Sequence, residues 1–400
     1  MKYIIVLGDG MADEPIPALG EKTPLECAKT PTMDALSKKG EIGMVHTIPE
    51  GMAPGSDTAN LSVMGYDPKI YYSGRSPLEA LSIGVPMKED DIALRCNLVT
   101  ISDDDKEFEQ KIIVDHSSGE ISTEDAAILI DVIKKELARE GYVFYVGTSY
   151  RHCLIWEKGQ VVDLTPPHDV LEQVIGQYLP KDDVLRDMMK KSYDILKDHP
   201  INIERKKQGL NPANCLWFWG AGTKPMLSDF KEKTGKKGIM ISAVDLLKGI
   251  AVGAGMDNAQ VEGANGGLHT NYEGKMQAAV KAVVEDGYDF AYIHVEAPDE
   301  MGHQGNLERK IQAIEYLDER IIAPIVKNLE EKDVDFRLLI LPDHPTPIRV
   351  RTHTADNVPY LLYDSTLAKN ETWDYNEKDA LKSANFIEKG HTLIDRLFER

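Results

Sequence analysis

The sequence predicts an α/β protein whose mostly parallel sheet is covered by helices on both faces, with an α+β domain inserted into it. Short apolar runs typical of buried strands alternate with segments of helical periodicity towards both ends of the chain. Between about residues 85 and 185, several strand patterns instead accompany one helix, which is typical of an α+β domain. With 400 residues, the chain is long enough for two domains. We therefore assign 1–84 and 186–400 to the core and 85–185 to the insertion.

The order of the predicted elements is that of a parallel sheet with crossover helices. The core strands are predicted near residues 2–8, 43–47, 215–219, 238–241, 289–295 and 336–342. The core helices are predicted near 31–39, 56–64, 243–252, 271–286, 305–330 and 389–399. The insertion has predicted strands near 92–100, 111–115, 142–148 and 151–156 and a helix near 122–140. A charged helical segment at 181–209 is expected to return the chain to the core.

The composition excludes several classes of partner. The formal net charge is −20 and no basic run occurs, which argues against nucleic acid and anionic membranes. No apolar run approaches the roughly 20 residues of a membrane span, and the N-terminal apolar run is too short for a signal peptide. The four cysteines show no C-x-x-C spacing, so we expect free thiols in a reducing cytoplasm. A small anionic metabolite remains compatible, because a local arginine cluster can override the global charge.

Oxygen and imidazole ligands for metal ions recur in three short segments of the C-terminal part. Asp299 and His303 are four residues apart, so one helical turn would bring them to the same face. Asp343 and His344 follow a predicted strand, where adjacent side chains point to opposite sides, and His353 comes shortly after. Single pairs occur by chance in an acidic chain, but the combination favours two metal ions. Carboxylates and imidazoles without thiolate favour Mn²⁺, with Mg²⁺, Co²⁺ and Zn²⁺ also compatible.

The N-terminal part supplies two further candidates. Asp9 follows the first predicted strand, at the sheet edge where α/β proteins bind ligands, although a Gly-Asp-Gly tripeptide can also be a plain turn. Ser56 follows a Pro-Gly pair at a predicted helix start, where free N–H groups and the helix dipole would stabilise an attacking oxygen. The alternative is an ordinary N-cap serine. Because no Gly-x-Ser-x-Gly elbow is present, activation of Ser56 would have to come from metal coordination.

Several spaced motifs together resemble one family. They are, in chain order, Asp9, Gly-Ser-Asp-Thr-Ala-Asn at 55–60, Tyr-Ser-Gly-Arg-Ser-Pro-Leu-Glu-Ala at 72–80, Asp299 to His303, Asp343-His344 and His353. Through essentially its whole length, the chain is similar to the archaeal-type, cofactor-independent phosphoglycerate mutases of the alkaline phosphatase superfamily. The resemblance implies an alkaline-phosphatase-like core that interconverts 3-phosphoglycerate and 2-phosphoglycerate through a phosphoserine. It also implies one divalent ion at Asp299, His303 and His353, and a second at Asp9, Ser56, Asp343 and His344.

The insertion is expected to act as a cap that recognises the non-phosphoryl part of a small phosphorylated metabolite. A guanidinium suits a carboxylate or phosphate because its planar fork binds two oxygens at once. Taken singly, each arginine is more simply a solvated surface residue, and it is the resemblance to the family's substrate-binding segments that favours a role. The candidate substrate-binding residues are Arg75, Arg95, Asn97, His116, Arg151, His152 and Lys275. Lys275 also fits an ordinary helix start, and His46, His168 and Lys248 are assigned no role.

Three departures from the family's usual motifs leave a second activity open. Asp-His-Ser-Ser-Gly at 115–119 stands where Asp-Tyr-Ser-Ala-Gly is common, His269 stands where Asp is usual, and Pro345 stands where Ser or Thr is frequent. These differences resemble a bacterial branch proposed to act as homoserine kinases, which would use the same metal site with ATP. A metal-dependent phosphatase is a third alternative, since it differs only in how well water is excluded. A non-catalytic binding module is the poorest explanation, because it gives no role to a serine directed at two metal ions. The sequence does not indicate the oligomeric state.

Overall fold

The computed structural model describes residues 1–367 and 369–399. Its strands, in chain order, are β1 Lys2–Gly8, β2 Glu41–Val45, β3 Ile92–Ile101, β4 Ile113–Asp115, β5 Tyr142–Thr148, β6 Arg151–Trp156, β7 Cys215–Thr223, β8 Gly238–Ile241, β9 Asp257–Asn258, β10 Phe290–Val295, β11 Phe336–Leu341, β12 Val358–Asp364 and β13 Phe386–Ile387. Its α-helices are α1 Pro24–Cys27, α2 Pro31–Ser37, α3 Ser56–Val63, α4 Pro68–Tyr71, α5 Arg75–Ser82, α6 Thr123–Glu136, α7 Asp183–Leu196, α8 Pro200–Lys207, α9 Phe230–Thr234, α10 Asp245–Gly253, α11 Tyr272–Val284, α12 Ala297–His303, α13 Leu307–Leu317, α14 Ala323–Glu331, α15 Glu377–Lys382 and α16 Leu393–Phe398.

Side-chain caps begin many of the longer helices. Ser122 caps α6, Asp182 caps α7 and Asn306 caps α13, each accepting a backbone N–H of the first turn. The predicted helix at 305–330 is two α-helices joined by a π-helical turn at Asp318–Ile322. Pro324 follows this turn and lacks the N–H that a regular α-helix would use there, which accounts for the irregularity. Within the described residues, no helix combines the length and apolar character needed to cross a bilayer.

The chain divides into two compact units. The first contains Met1–Tyr72 and the chain from Met226 onward, and the second is Ser73–Pro225. Both domain boundaries expected from the sequence, after residues 84 and 185, therefore fall inside the second unit. The difference arises because α5 packs against β3 and β7, and because α7 packs against β7. Helices that flank the insertion in sequence thus belong to its hydrophobic core.

The first unit is built on a mostly parallel sheet, which confirms the predicted α/β class. The strand order is β13-β2-β12-β11-β1-β10-β8-β9. Only β12 is antiparallel to its neighbours, β11 and β2. The strands at the centre of the sheet, β11, β1 and β10, run parallel and in register over most of their length. Their carboxyl ends therefore meet at one edge, which is where ligands bind in open α/β sheets.

Helices cover both faces of this sheet, because every central strand is apolar on both sides. On β1, Ile4 and Val6 join a buried cluster with residues of α11, α13 and α14. Tyr3 points to the opposite face, where its ring packs edge-on against Phe398 of α16. The continuous apolar sequence of β1 is thus explained by burial on two sides.

The second unit has an antiparallel sheet of its own and corrects two expectations. Its order is β4-β3-β6-β5, and β7 pairs antiparallel with β3 in addition to this order, along Ile92–Val99. The strand predicted at 215–219 was placed in the core, but it is part of β7 in this second sheet. The segment at 181–209 was expected to return the chain to the core, but α7 instead covers the second sheet through Leu185, Met188 and Met189. Apolar periodicity predicts a strand or helix, but it carries no information on which sheet receives it.

A buried lysine joins two loops at the carboxyl edge of the first sheet. Lys310 of α13 is fully buried, and its Nζ donates to Asp13 Oδ2 at 2.8 Å and to the carbonyl oxygen of Thr346 at 2.8 Å. Asp13 belongs to the loop after β1, and Thr346 to the loop after β11. Asp13 Oδ2 also accepts the backbone N–H of Ile348 at 3.1 Å. One ion pair therefore fixes the two loops against each other.

Replacing this lysine is expected to destabilise the first unit strongly. Lys310→Met leaves the buried Asp13 carboxylate without its cation, and breaking a buried pair costs about 3–5 kcal/mol. The free energy of unfolding from urea denaturation measures the effect. Lys327→Met on α14 is the matched control, because that ammonium is exposed and its ion pair with Glu331 is worth at most about 1 kcal/mol. Equal unfolding midpoints for the two variants would contradict the anchoring role.

Candidate active site

Three parallel strands deliver three carboxylates to one edge of the first sheet. Asp9 follows β1, Asp343 follows β11, and Asp299 lies on α12, which begins directly after β10. All three are buried. Gly10 shows how closely the loops approach, since its φ is +61° and an added Cβ would lie 2.6 Å from Asp299 Oδ1. The Gly-Asp-Gly tripeptide is a turn, as the plainer interpretation held, but one that places its aspartate within the cluster.

Asp9 is held through one oxygen only. Its Oδ2 is 2.8 Å from His294 Nε2 and 3.4 Å from Ser56 Oγ. Its Oδ1 is buried, has no hydrogen-bond partner among the described residues, and lies 3.5 Å from His344 Nε2. Burial, followed by the nearby charge of Asp343, raises the pKa of Asp9 well above its usual value. An unpartnered carboxylate oxygen in such a place is costly unless a cation compensates it.

Asp343 is oriented by a set of uncharged donors. Its Oδ1 accepts the backbone N–H groups of Gly10 at 3.1 Å and His344 at 2.9 Å. Its Oδ2 accepts Asn60 Nδ2 at 2.9 Å, and Asn60 in turn accepts the hydroxyl of Tyr292 at 2.6 Å. Because neither oxygen is neutralised by a lysine or arginine in these contacts, the charge of Asp343 adds to that of Asp9.

Asp299, His303 and His353 form a second group. His303 Nε2 lies 3.1 Å from Asp299 Oδ2, and His353 Nε2 lies 3.4 Å from Asp299 Oδ1. Burial alone would raise the pKa of Asp299, but hydrogen bonds from the two imidazoles outweigh it and hold that pKa well below its usual value. The same hydrogen bond raises the pKa of His303 to about 9. A proton on His303 and a divalent cation are alternative ways to compensate this buried carboxylate.

The ring of His303 is oriented from behind by a strained backbone position. Arg351 has a left-handed φ of +58°, which is uncommon for a residue with a side chain. Its carbonyl oxygen is 3.0 Å from His303 Nδ1, which fits an Nδ1–H donor and leaves Nε2 facing Asp299 and His353. This is the arrangement that a histidine metal ligand commonly has.

Ser56 is the first residue of α3 and lies within reach of the cluster. Its Oγ is 3.1 Å from His344 Nε2. The N-cap of α3 is Gly55, which supplies no side-chain cap, and Ser56 itself is the first helical residue rather than a cap. The N–H of Thr58 in the first turn donates to Asp57 Oδ1 at 2.8 Å. The backbone N–H groups of Ser56 and Asp57 lie at the positive end of the helix dipole, next to the Ser56 side chain.

The donor set fits divalent cations. One group of side chains with ligand atoms within 4.8 Å of one another is Asp9, Asp343 and His344, and the other is Asp299, His344 and His353. The two groups share His344, which the resemblance had assigned to the site of Asp9. Carboxylate oxygens and imidazole nitrogens, with an unpartnered oxygen on Asp9, are what a divalent metal site requires before the metal is bound.

In the second unit, the structure brings the three candidate arginines into one electrostatic group. Arg95 of β3 is largely buried, with Nε 3.0 Å from Glu79 Oε2 and its guanidinium 4.3 Å from the ring centroid of Trp219. Arg75 also pairs with Glu79, at 2.8 Å. Burial lowers the pKa of Arg95 to about 10, and the nearby charges of Arg75 and Arg151 act in the same direction.

Asn97 and Arg151 lie in direct register on β3 and β6, and Asn97 Oδ1 accepts Trp219 Nε1 at 3.2 Å. His116 joins this group through aromatic contacts. Its ring centroid is 6.1 Å from that of Tyr150 and 6.2 Å from that of His168. His168 in turn contacts Trp219 at 5.3 Å. A cationic and aromatic cluster of this kind suits a small anion.

Two candidate residues have buried contacts of another kind. His152 is buried, and its Nδ1 accepts the N–H of Gly147 at 3.1 Å. Its neighbour Arg151 points to the other side of β6, since side chains alternate along a strand. Lys275 is also buried, and its Nζ donates to the carbonyl oxygen of His294 at 2.9 Å. Burial lowers the pKa of Lys275 to about 8. The observed contact of Lys275 is thus with the end of β10.

The sequence reading missed the residues that orient the carboxylates. They are Asn60, Ser242, Tyr292, His294 and Thr346. In the second unit, the residues missed are those that contact the arginine and histidine candidates, namely Glu79, His168 and Trp219. Thr346 Oγ1 donates to Asp299 Oδ1. One signal was visible: His294 is a polar residue inside the otherwise apolar run of β10, where an unsatisfied imidazole would be costly.

Comparison with known proteins identifies the family. The family model for 2,3-bisphosphoglycerate-independent phosphoglycerate mutase matches residues 37–202. A protein of that name from Methanosarcina barkeri is 48% identical over 400 residues, covering 98% of each chain. The solved structure of a Pyrococcus horikoshii protein is 32% identical and covers 99% of this chain and 96% of that one, with a TM-score of 0.81. A cofactor-independent phosphoglycerate mutase from Thermoplasma acidophilum is 27% identical and covers 99% of each chain, with a TM-score of 0.67. Together with the motifs, these likenesses show that the chain belongs to the 2,3-bisphosphoglycerate-independent phosphoglycerate mutase family.

Proposed function

We propose that this protein interconverts 3-phosphoglycerate and 2-phosphoglycerate through a phosphoserine at Ser56. The observation that carries the proposal is the position of Ser56 Oγ, 3.1 Å from His344 Nε2 and 3.4 Å from Asp9 Oδ2, at the start of a helix. A serine facing buried carboxylates and imidazoles has no evident structural purpose. It suits a nucleophile activated by a bound cation.

The proposed metal ligands are those that the resemblance implies. Asp9, Ser56, Asp343 and His344 would hold one divalent ion, and Asp299, His303 and His353 the other. When bound, such ions lower the pKa of a coordinated hydroxyl and neutralise charge on a phosphoryl group. Mn²⁺ is the proposed ion because the donors are carboxylates and imidazoles without thiolate.

The chain's own residues then divide the work. Ser56 Oγ attacks phosphorus in line, the ester bond to the glycerate oxygen breaks, and that oxygen takes up a proton. The backbone N–H groups of Ser56 and Asp57, at the start of α3, stabilise negative charge near the new phosphoserine. The second hydroxyl of the same glycerate then attacks phosphorus, which frees Ser56. These two phosphoryl transfers require neither ATP nor a bisphosphoglycerate primer.

Retention of glycerate between the two transfers is the task proposed for the second unit. Arg75, Arg95 and Arg151 supply the positive charge that a carboxylate requires, and Asn97 and His116 lie in the same group. Arg95 is fixed by Glu79 and Trp219, so less side-chain entropy is lost when it binds an anion. Loss of glycerate to solvent would convert the reaction into phosphatase chemistry.

A coupled assay separates the proposed mutase from its main alternative. The purified protein with Mn²⁺ is given 3-phosphoglycerate in one arm, and homoserine with ATP in the other. We expect 2-phosphoglycerate to form in the first arm and no phosphohomoserine in the second. His116, His269 and Pro345, which depart from the usual motifs of the family, are the reason to test a homoserine kinase. Turnover in the second arm alone would replace the proposed mutase activity with kinase activity. Release of inorganic phosphate alone would indicate a phosphatase.

The nucleophile is tested by removing its oxygen. Ser56→Ala should keep less than about 1% of wild-type transfer, because covalent catalysis has no other hydroxyl in its place. Mass spectrometry of wild-type protein quenched during turnover should find phosphate on Ser56. Ser62→Ala on the same helix is the control and should stay active. Substantial activity in the Ser56 variant would refute the covalent route.

The metal sites are tested by stoichiometry. Elemental analysis of protein reconstituted with Mn²⁺ should approach two ions per chain. Asp343→Ala and His303→Ala should each lose mainly one of the two ions, since the side chains belong to different groups. A chelator should abolish activity, and added Mn²⁺ should restore it. An enzyme that turns over without any bound divalent ion would contradict the proposal.

The arginine group is tested by the ratio of two activities. Arg151→Ala should reduce mutase efficiency about 30- to 1000-fold, since losing a charge-assisted contact costs about 2–4 kcal/mol. Hydrolysis of a generic phosphate ester should change little, because it does not require glycerate to be retained. Arg95→Ala should behave similarly, with some loss of stability from the freed Glu79. Arg139→Ala, an exposed arginine elsewhere in the second unit, is the control. Proportional loss of both activities would assign these arginines to structure or phosphate binding.

A further inference from the structure

A chain of three buried polar side chains crosses the carboxyl edge of three adjacent strands. Ser242 follows β8, His294 lies near the end of β10, and Asp9 follows β1. Ser242 Oγ is 3.1 Å from His294 Nδ1, and His294 Nε2 is 2.8 Å from Asp9 Oδ2. His294 is fully buried, and Ser242 is 6% exposed. No part of the proposed phosphoryl transfer uses Ser242 or His294 directly.

The hydrogen bonds fix the direction of donation along this chain. As a carboxylate, the form in which it would bind a cation, Asp9 can only accept a hydrogen bond, so its contact with His294 requires the proton on Nε2. Nδ1 is then the acceptor, and Ser242 Oγ, which accepts the backbone N–H of Val244 at 3.0 Å, donates its proton to it. The Ser242 hydroxyl thus stabilises the tautomer that Asp9 requires, and the Nε2–H of this tautomer occupies Oδ2 of Asp9.

The consequence appears on the other oxygen of the same carboxylate. In the part of the chain that the structure describes, Asp9 Oδ1 has no hydrogen-bond partner, and it lies on the side of His344. A carboxylate with both oxygens free could rotate, whereas one held at Oδ2 presents Oδ1 in a fixed direction. Asp343 has an analogous arrangement through Asn60 and Tyr292, so orientation of the carboxylates by uncharged partners recurs in this cluster.

We infer that Ser242 and His294 are positioning residues that present Asp9 Oδ1 to a divalent cation. The inference rests on the proposed function, because it assigns the cation to that site. It predicts an effect on one ion only: the ion bound by Asp9, Asp343 and His344 depends on the relay, and the ion bound by Asp299, His303 and His353 does not. Outer partners of metal ligands typically contribute about 10- to 100-fold in metal affinity.

The test measures Mn²⁺ affinity rather than activity. Metal-free protein is titrated with Mn²⁺, and free ion is followed by electron paramagnetic resonance. His294→Leu, which cannot donate, should weaken one of the two sites by about tenfold or more and leave the other unchanged. His294→Gln, whose amide can donate from nearly the same place, should restore much of that affinity. Leucine and glutamine variants with the wild-type affinities at both sites would overturn the inference.

Serine variants keep the test decisive if a histidine variant fails to fold. Ser242→Ala removes the donor to His294 Nδ1 that stabilises this tautomer and should weaken the same site several-fold. Ser192→Ala is its matched control in the second unit, because Ser192 is a buried serine that also donates to one group, Met189 O, and accepts from another, Leu216 N. Equal Mn²⁺ affinities for the two serine variants would also overturn the inference. If the wild type itself bound no Mn²⁺, the failure would lie in the proposed function and not in the relay.

Discussion

Electrostatic repulsion among three buried carboxylates is the constraint on which this structure depends. Asp9, Asp299 and Asp343 converge because three parallel strands end at one edge of a sheet, and all three side chains are buried there. At close range and low dielectric, like charges of this kind cost several kcal/mol unless protons or cations compensate them. Burial, followed by the charges of Asp343 and Asp299, raises the pKa of Asp9, and the hydrogen bond with Asp299 raises the pKa of His303.

Much of the surrounding architecture can be understood as a frame for these carboxylates. Uncharged partners orient them: His294 for Asp9, and Asn60 for Asp343. Lys310 fixes the loops that carry them, and its ammonium pairs with Asp13 rather than with a carboxylate of the cluster. Because Asn60 and His294 are uncharged and Lys310 pairs with Asp13, the cluster of Asp9, Asp299 and Asp343 keeps a net negative charge. We propose that a divalent cation compensates this negative charge. Ser56 lies where such a cation would activate its hydroxyl.

The sequence predicted the parts of this arrangement that depend on local pattern. β1 is a continuous apolar run, and β10 is apolar apart from His294. Asp9 and Asp343 follow strands, so their convergence could be inferred from the rules of parallel sheets. The sequence could not show that β7 joins β3, because an apolar strand fits either sheet. It also could not show that His294 faces Asp9, because the partner of a buried polar group depends on strand order. Ser56 as first helical residue rather than N-cap likewise required the backbone geometry of Gly55.

Anomalous diffraction at the manganese edge, from crystals grown with Mn²⁺, tests the central claim most directly. The account predicts two anomalous peaks in the first unit, one among Asp9, Ser56, Asp343 and His344, and one among Asp299, His303 and His353. Asp9 should contribute Oδ1 while Oδ2 keeps its hydrogen bond to His294. Crystals of active protein with no peak near these side chains, or with peaks only elsewhere, would contradict the claim that divalent cations compensate the buried carboxylates.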